Sequence, residues 1–382
     1  MLITHLKLKN WRNFKSVDVD LRDRVFVVGP NACGKSNLLD ALRFLRDIAK
    51  DGGGLQKAIR DRKGLSKIRC LAARRHPDVE LEIHLSEALG DSPTFKYALG
   101  IQQKKGGDNS PQIAYERVWK DGQQILDRPN QDDKRDAVRL RETYLEQVNS
   151  NFEFREIQAF LNSILYLHLI PQLLRHPDAF QGNALQDDPF GRSFLDRIIK
   201  TSERTRRSRL KKIEGALKIA LPQLKQLQDV KDEMGVPHLE ALYEHWRPNA
   251  GKQQEDQFSD GTLRLIGLLW SLLEGNSLLL LEEPELSLHS AINAKLPALI
   301  EQLQKGKRRQ IFISTHSSDL LSDPGIGGEE VLLLTPRPEG TQVEVASSLE
   351  DIKPLLSAGL SIADTVLPKT KPTHIDQLDF LK

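Results

Sequence analysis

Gly29-Pro30-Asn31-Ala32-Cys33-Gly34-Lys35-Ser36 has the spacing GxxxxGK[ST]. Its glycines let the backbone wrap so that successive N–H groups point at one small anion. The chemistry that follows is phosphate binding. Lys35 would neutralise the β- and γ-oxygens of a nucleotide such as ATP, and Ser36 would offer its hydroxyl to Mg2+. Gly29, Asn31, Gly34 and the following Asn37 complete the candidate nucleotide contacts. Cys33 lies inside the loop, either as small filler or as a redox-sensitive thiol.

Three further groups could act with that loop. The apolar run Leu278–Leu281 ends in Glu282-Glu283-Pro284-Glu285. Two acids at the end of a buried strand can hold a metal-water shell (Glu282) and polarise an attacking water (Glu283). A solvated acidic turn would read the same way, so the phosphate loop is what gives this pair a task. Phe258-Ser259-Asp260-Gly261-Thr262 precedes the apolar run Leu263–Leu273. Ser259 is an N-cap candidate, and a helix N-terminus favours anions. Gln310–Ser314 reads as a strand running into Thr315-His316, a histidine at a strand end.

These groups need elements to position them. Arg24–Val28 is a mostly apolar strand feeding the loop, and Leu38, Leu42, Leu45 and Ile48 lie on one face of a helix after it. Residues 51–54 (DGGG) end that helix. Val79–Leu85 and Phe95–Ile101 alternate apolar with polar, and Asp121-Gly122 is a hairpin signal. An antiparallel layer with one wet face is expected over 79–127. Residues 133–230 read as mainly helical around a strand-like Ile164–Ile170, and 275–346 return to α/β. The fold class is therefore α/β, one nucleotide-binding head assembled from N- and C-terminal segments, with an antiparallel β layer and an inserted helical lobe. The expected division is 1–130 for the first half of the head, 131–250 for the insertion, 251–350 for the second half and 351–382 for a tail.

The order of the motifs resembles the head of ABC-type ATPases: Walker A, signature, Walker B, switch histidine. Within that class the chain resembles the RecF/SMC/OLD branch. LKLKNWRNFKS (6–16) is similar to that branch's opening strand, EEPELSLH (282–289) to its acid-pair segment, and THSSDLL (315–321) to its switch segment. The resemblance is good over 1–50 and 255–335 and loose between them. It implies that Gln172, after YLHLIP (166–171), senses metal and γ-phosphate. It also implies that Ser259 and Gly261 meet the nucleotide of a second protomer, that Glu283 activates water and that His316 contacts the γ-phosphate. A head-to-head homodimer around two ATP molecules follows, controlling an effector such as a separate nuclease in phage defence or DNA repair. Four departures stand out: Glu282 where transporters carry Asp, Asp260 where Gly is usual, Thr262 at the last position of the signature, and His289 at the D-loop Asp.

Composition narrows the classes. Fifty-five basic against 53 acidic residues leave +2, too little for a whole-chain field that attracts nucleic acid or a membrane. Two patches remain local candidates for double-stranded DNA: Arg60, Arg62, Lys63, Lys67, Arg69, Arg74 and Arg75, and Arg204, Arg206, Arg207, Arg209, Lys211 and Lys212. A solvated helix face or pairing with acids would account for them equally well. Two cysteines make no disulfide framework, so a reducing, cytoplasmic setting is expected. No apolar run reaches ~18 residues, which argues against a membrane span. A transporter subunit fits poorly with the opening strand and the insertion. Fewer than ~70 residues follow His316, short of a typical domain, so a nuclease is expected to be another chain. An ATP-binding scaffold with little turnover stays open.

Overall fold

The computed structural model describes the chain apart from residues 74–76, 104–109, 177–187, 189, 248–250, 305–308 and 372–382. Arg74, Arg75 and the end of the tail therefore lie outside the described residues. The strands in chain order are β1 (Leu2–Trp11), β2 (Phe14–Asp20), β3 (Arg24–Val28), β4 (Val79–Ser86), β5 (Phe95–Gln103), β6 (Pro111–Lys120), β7 (Gln123–Arg128) and β8 (Leu165–Leu167). They continue as β9 (Leu224–Lys231), β10 (Pro237–Tyr243), β11 (Lys252–Gln254), β12 (Leu279–Glu282), β13 (Ile311–Thr315), β14 (Val331–Arg337) and β15 (Gly340–Val345).

The chain divides into two compact units. The first comprises Met1–Leu165, Ser277–Leu280 and Arg308–Lys382, and the second Tyr166–Asn276 and Leu281–Lys307.

The first unit holds two sheets. One is antiparallel, in the order β2-β1-β4-β5-β6-β7. Period-2 patterning builds it: Val79, Leu81, Ile83 and Leu85 are buried while Glu80, Glu82 and His84 between them stay partly exposed. The other has the order β15-β14-β3-β13-β12-β8, and its last two strands run on into the second unit. β3 pairs in parallel with both β13 and β14. Flanked on both sides, Val25, Phe26, Val27 and Val28 are at most 1% exposed, which is why that strand reads as continuously apolar. The helix Lys35–Ala49 follows and buries Leu38, Leu42, Leu45 and Ile48, the face that the 3.6 spacing picks out. Gln158 donates to Ala49 O at 2.6 Å and closes the helix's C-terminal end.

The second unit carries the basic helix Glu203–Ala220, the apolar helix Asp260–Leu273 and a three-stranded antiparallel sheet β11-β10-β9. That sheet is a departure from the mainly helical reading. Its strands are polar at most positions, with Leu224, Leu227, Leu239 and Ala241 supplying the buried contacts, so no apolar alternation announces them. Among the described residues no helix is long and apolar enough to cross a membrane.

Candidate functional site

In the first unit the phosphate loop leaves the end of β3 and enters the helix at Lys35. Ala32 (φ 61°) and Gly34 (φ 102°) adopt left-handed backbone. At Gly34 a side chain is excluded twice, by that φ and because a Cβ would stand 2.4 Å from the Asn13 amide. Lys35 is 8% exposed, and its Nζ donates to Gly29 O at 3.0 Å. Ser36 follows as the helix's second residue. Cys33 is buried, and burial raises its thiol pKa against the pull of Lys35. At 1% exposed, Cys33 packs inside the loop rather than facing solvent, where a redox-sensitive thiol would sit.

The loop is held by the turn between β1 and β2. Asn13 Nδ2 donates to Cys33 O (2.6 Å) and to Thr341 Oγ1 (2.7 Å), and its Oδ1 accepts from Asn37 Nδ2 (2.8 Å). Thr341 Oγ1 donates to the same carbonyl of Cys33 at 2.8 Å. Trp11, fully buried, donates from its indole to Asn37 O at 2.7 Å. Asn37 thus turns its side chain toward Asn13. The NWRNF segment was legible only as a resemblance; its physical task is to brace the loop.

A cavity of about 760 Å³ opens beside the loop, lined by Arg12, Asn13, Asn37, Lys67 and Arg69 among others. It is the size of a small-molecule site. The first basic patch is therefore divided. Lys67 and Arg69 face this cavity, whereas the Arg62 side chain is turned inward and bonded to Asp40 and Asp47. Burial alone would raise the Asp40 carboxyl, but Arg62 and Arg12 hold it below its ordinary value. The pairing of Thr315 with Val28 brings the strand end before His316 level with the end that launches the loop.

The second unit presents the acids and the signature segment. Glu282 ends β12 and accepts a hydrogen bond from the Tyr166 hydroxyl. Glu283 takes φ 44°, a left-handed conformation that a non-glycine residue adopts at a cost. Glu285 is 4% exposed. Arg264 on the apolar helix is 6% exposed, and burial lowers its pKa against the pull of Asp260, Glu285 and Glu283.

Ser259 is the N-cap of Asp260–Leu273: its Oγ accepts from Thr262 N at 3.2 Å. Gly261 lies against the acid-pair turn, where a Cβ would come 2.6 Å from Ser287 O. Gln172 Nε2 donates to Asp260 Oδ2 at 2.9 Å. His289 caps the short helix Ser290–Asn293 by accepting from Ala291 N. The second basic patch is also divided. Arg206 pairs with Asp229, Arg207 pairs with Glu203, and Arg209 lies over the Trp270 ring. Arg204, Lys211 and Lys212 are exposed.

Comparison with known proteins adds the following. A family model described as "AAA domain, putative AbiEii toxin, Type IV TA system" matches residues 24–323. The DNA replication and repair protein RecF of Bacillus mycoides (strain KBAB4) is 32% identical over 90 residues, 23% of this chain and 24% of that protein. RecF of Roseiflexus castenholzii (strain DSM 13941 / HLO8) is 29% identical over 111 residues, 25% and 28% of the two chains. The chain thus matches about a quarter of the length of these curated relatives. Among solved structures, an Smc head bound to the C-winged helix domain of ScpA has a TM-score of 0.56 at 16% identity, covering 90% of this chain and 98% of that one. An Smc head with an extended coiled coil, bound to the C-terminal domain of ScpA derived from Pyrococcus furiosus, has 0.50 at 13%, covering 93% and 99%.

Proposed function

Because the chain belongs to the AAA-domain family whose model it matches, and folds as an ABC-type ATPase head of the RecF/SMC class, we infer that it is a switch that binds and hydrolyses ATP. The observation that carries this is the braced loop: Lys35 at the helix start, left-handed Gly34 and the Asn13 contacts beside a cavity of about 760 Å³.

Each residue has an assigned task. The loop N–H groups and Lys35 bind the β- and γ-phosphates, with Gly29, Asn31 and Asn37 shaping the cradle. Arg12, Lys67 and Arg69 border the nucleoside. Hydroxyl, carboxylate and amide oxygens are the hard donors that Mg2+ takes, so Ser36, Glu282 and Gln172 fit that ion. When bound, it would neutralise charge that develops on the phosphate oxygens. Glu283 orients and polarises the attacking water. His316 contacts the γ-phosphate. Ser259 and Gly261, at a helix N-terminus, engage the γ-phosphate of a nucleotide held by a second copy, giving a head-to-head dimer. The output is control of an effector that acts on DNA, in defence or repair. Direct contact with double-stranded DNA would fall to the exposed cations Arg204, Lys211 and Lys212. A second reading, an ATP-held scaffold with little turnover, draws on Asp260, a carboxylate beside the signature serine.

The test is ATP turnover and solution mass for wild type and Glu283→Gln, with and without duplex DNA. Turnover lost in the variant, together with an ATP-dependent dimer, supports the switch. ATP binding with neither turnover nor a change of mass favours the scaffold.

A further inference from the structure

Asp260 is an awkward residue at its position. It is the first residue of the signature helix, adjacent to Ser259, on the end that would receive a phosphate. Its carboxylate suits the helix dipole but repels an incoming anion. What surrounds it in the second unit answers that difficulty. Arg175 Nη2 donates to Asp260 Oδ1 at 2.7 Å and to Phe258 O at 2.6 Å. One guanidinium therefore grips the residues on both sides of Ser259. Gln172, one helical turn before Arg175, takes the other oxygen of Asp260. Arg175 is 19% exposed and Asp260 35%, so the pair is only partly screened by solvent.

Resting on the reading that Ser259 meets a second copy's nucleotide, we propose that Arg175 is a positioning residue for the signature serine. It acts through Asp260: anchored by the Phe258 carbonyl, its guanidinium cancels the Asp260 charge so that a γ-phosphate can approach the helix N-terminus. The aspartate where a glycine is usual is then one half of a built pair. The arginine that completes it lies 85 residues earlier in the chain, on the helix Pro171–Arg175. The ligand chemistry is the terminal phosphate of a nucleoside triphosphate carried by another copy of this chain.

The test uses the full chain in the Glu283→Gln background and reads solution mass against ATP concentration. Mant-ATP binding at chain concentrations too low for association reports the phosphate loop separately. Arg175→Ala should weaken ATP-driven association by about tenfold or more, as expected on losing a charge-assisted hydrogen bond, and leave mant-ATP affinity within about twofold. Arg175→Ala with Asp260→Asn should regain most of the association, because the uncancelled charge is gone. Arg175→Lys should be intermediate. Association unchanged in Arg175→Ala overturns the inference and leaves the switch intact. Association lost in Arg175→Ala and not regained with Asp260→Asn also overturns it, reducing Arg175 to a structural contact. Failure of the parent to associate with ATP overturns the dimer reading first, and the inference with it.

Discussion

The hydroxyl of Tyr166 donates to the side chain of Glu282, tying the strand before Gln172 to the first acid of the pair. Tyr166 is 6% exposed and Glu282 half-buried, so the bond is only partly open to water. Glutamate is one methylene longer than the aspartate found there in transporters, and a longer side chain has more rotamers to lose. Tyr166 removes that freedom. Tyr166→Phe should raise the Mg2+ concentration needed for half-maximal nucleotide binding and turnover by roughly tenfold, the worth of a hydrogen bond to a charged group. Glu282→Asp should do the same, and the double variant should be no worse than either alone. Mg2+ titration of mant-ATP binding checks this. Additive losses would mean that the two residues act separately.

The antiparallel sheet is locked by a buried charge cluster. Arg128 bonds Glu116 and Asp133 at 2.9 and 2.8 Å, and all three side chains are 0% exposed. Glu116 also accepts from Tyr97 and from the N–H groups of Tyr144 and Leu145, anchoring the chain on its way to the helix Arg155–Asn162. Burial raises the Glu116 carboxyl even beside Arg128. Arg128→Met should cost about 3–5 kcal/mol, since it strands two buried acids. The cost should shrink as pH falls and Glu116 takes up a proton. Urea unfolding at pH 7 and pH 5 measures it, and a pH-independent loss would point to packing alone.

How much of this was legible follows from where the information sits. β3, the loop and the helix Lys35–Ala49 were readable because local spacing sets them: an apolar run, two glycines, then a 3.6 period. Ser259 was readable as a cap for the same reason. Tyr166, Arg175 and Asn13 were not singled out for roles of their own, because each acts on a partner far along the chain, 116 residues away for Tyr166 and Glu282. A tyrosine in a strand and an arginine in a short helix carry no spacing signal. The basic patches left two readings open because sequence does not distinguish an exposed arginine from Arg62, whose side chain is 7% exposed between two aspartates. The sheet β9–β11 was missed because its polar strands bury so few apolar residues.

Glu82 offers a pH test of the same antiparallel sheet. Burial would raise its carboxyl, but His84 Nε2 at 2.8 Å and Lys96 Nζ at 3.1 Å lower it to about 2 from 4.5. A carboxyl depressed in the folded state contributes stability above its unfolded pKa, and that contribution fades as pH falls toward the folded value. Wild type should therefore exceed Glu82→Gln in stability at pH 6. The two should converge between about pH 4.5 and 2. Thermal unfolding across that range reads the convergence; a constant gap would show that the ion pairs contribute nothing.

Asn13 gives the sharpest test of the braced loop. Its amide makes two hydrogen bonds as donor and accepts a third from Asn37. The Cys33 carbonyl it holds belongs to the peptide that leads into Gly34, whose left-handed backbone sets the direction of the N–H groups after it. Losing the amide removes one of the two side-chain donors to that carbonyl and the link to Asn37, which loosens the peptide, so more of the cradle must be ordered at the moment of binding. At about 0.5–1.5 kcal/mol per net hydrogen bond, Asn13→Ala should weaken ATP binding by about tenfold or more. Thr341→Ala removes the hydroxyl, the second side-chain donor to that carbonyl, and should cost less, because Asn13 still holds it and keeps its bond from Asn37. Asn13→Asp should be the most damaging of the three: its carboxylate has no N–H for the Cys33 carbonyl and adds negative charge beside the phosphate site. Mant-ATP affinity, measured with Tm for each variant, orders the series. A fall in Tm with unchanged affinity in Asn13→Ala would mean that Trp11 and Thr341 hold the loop without it.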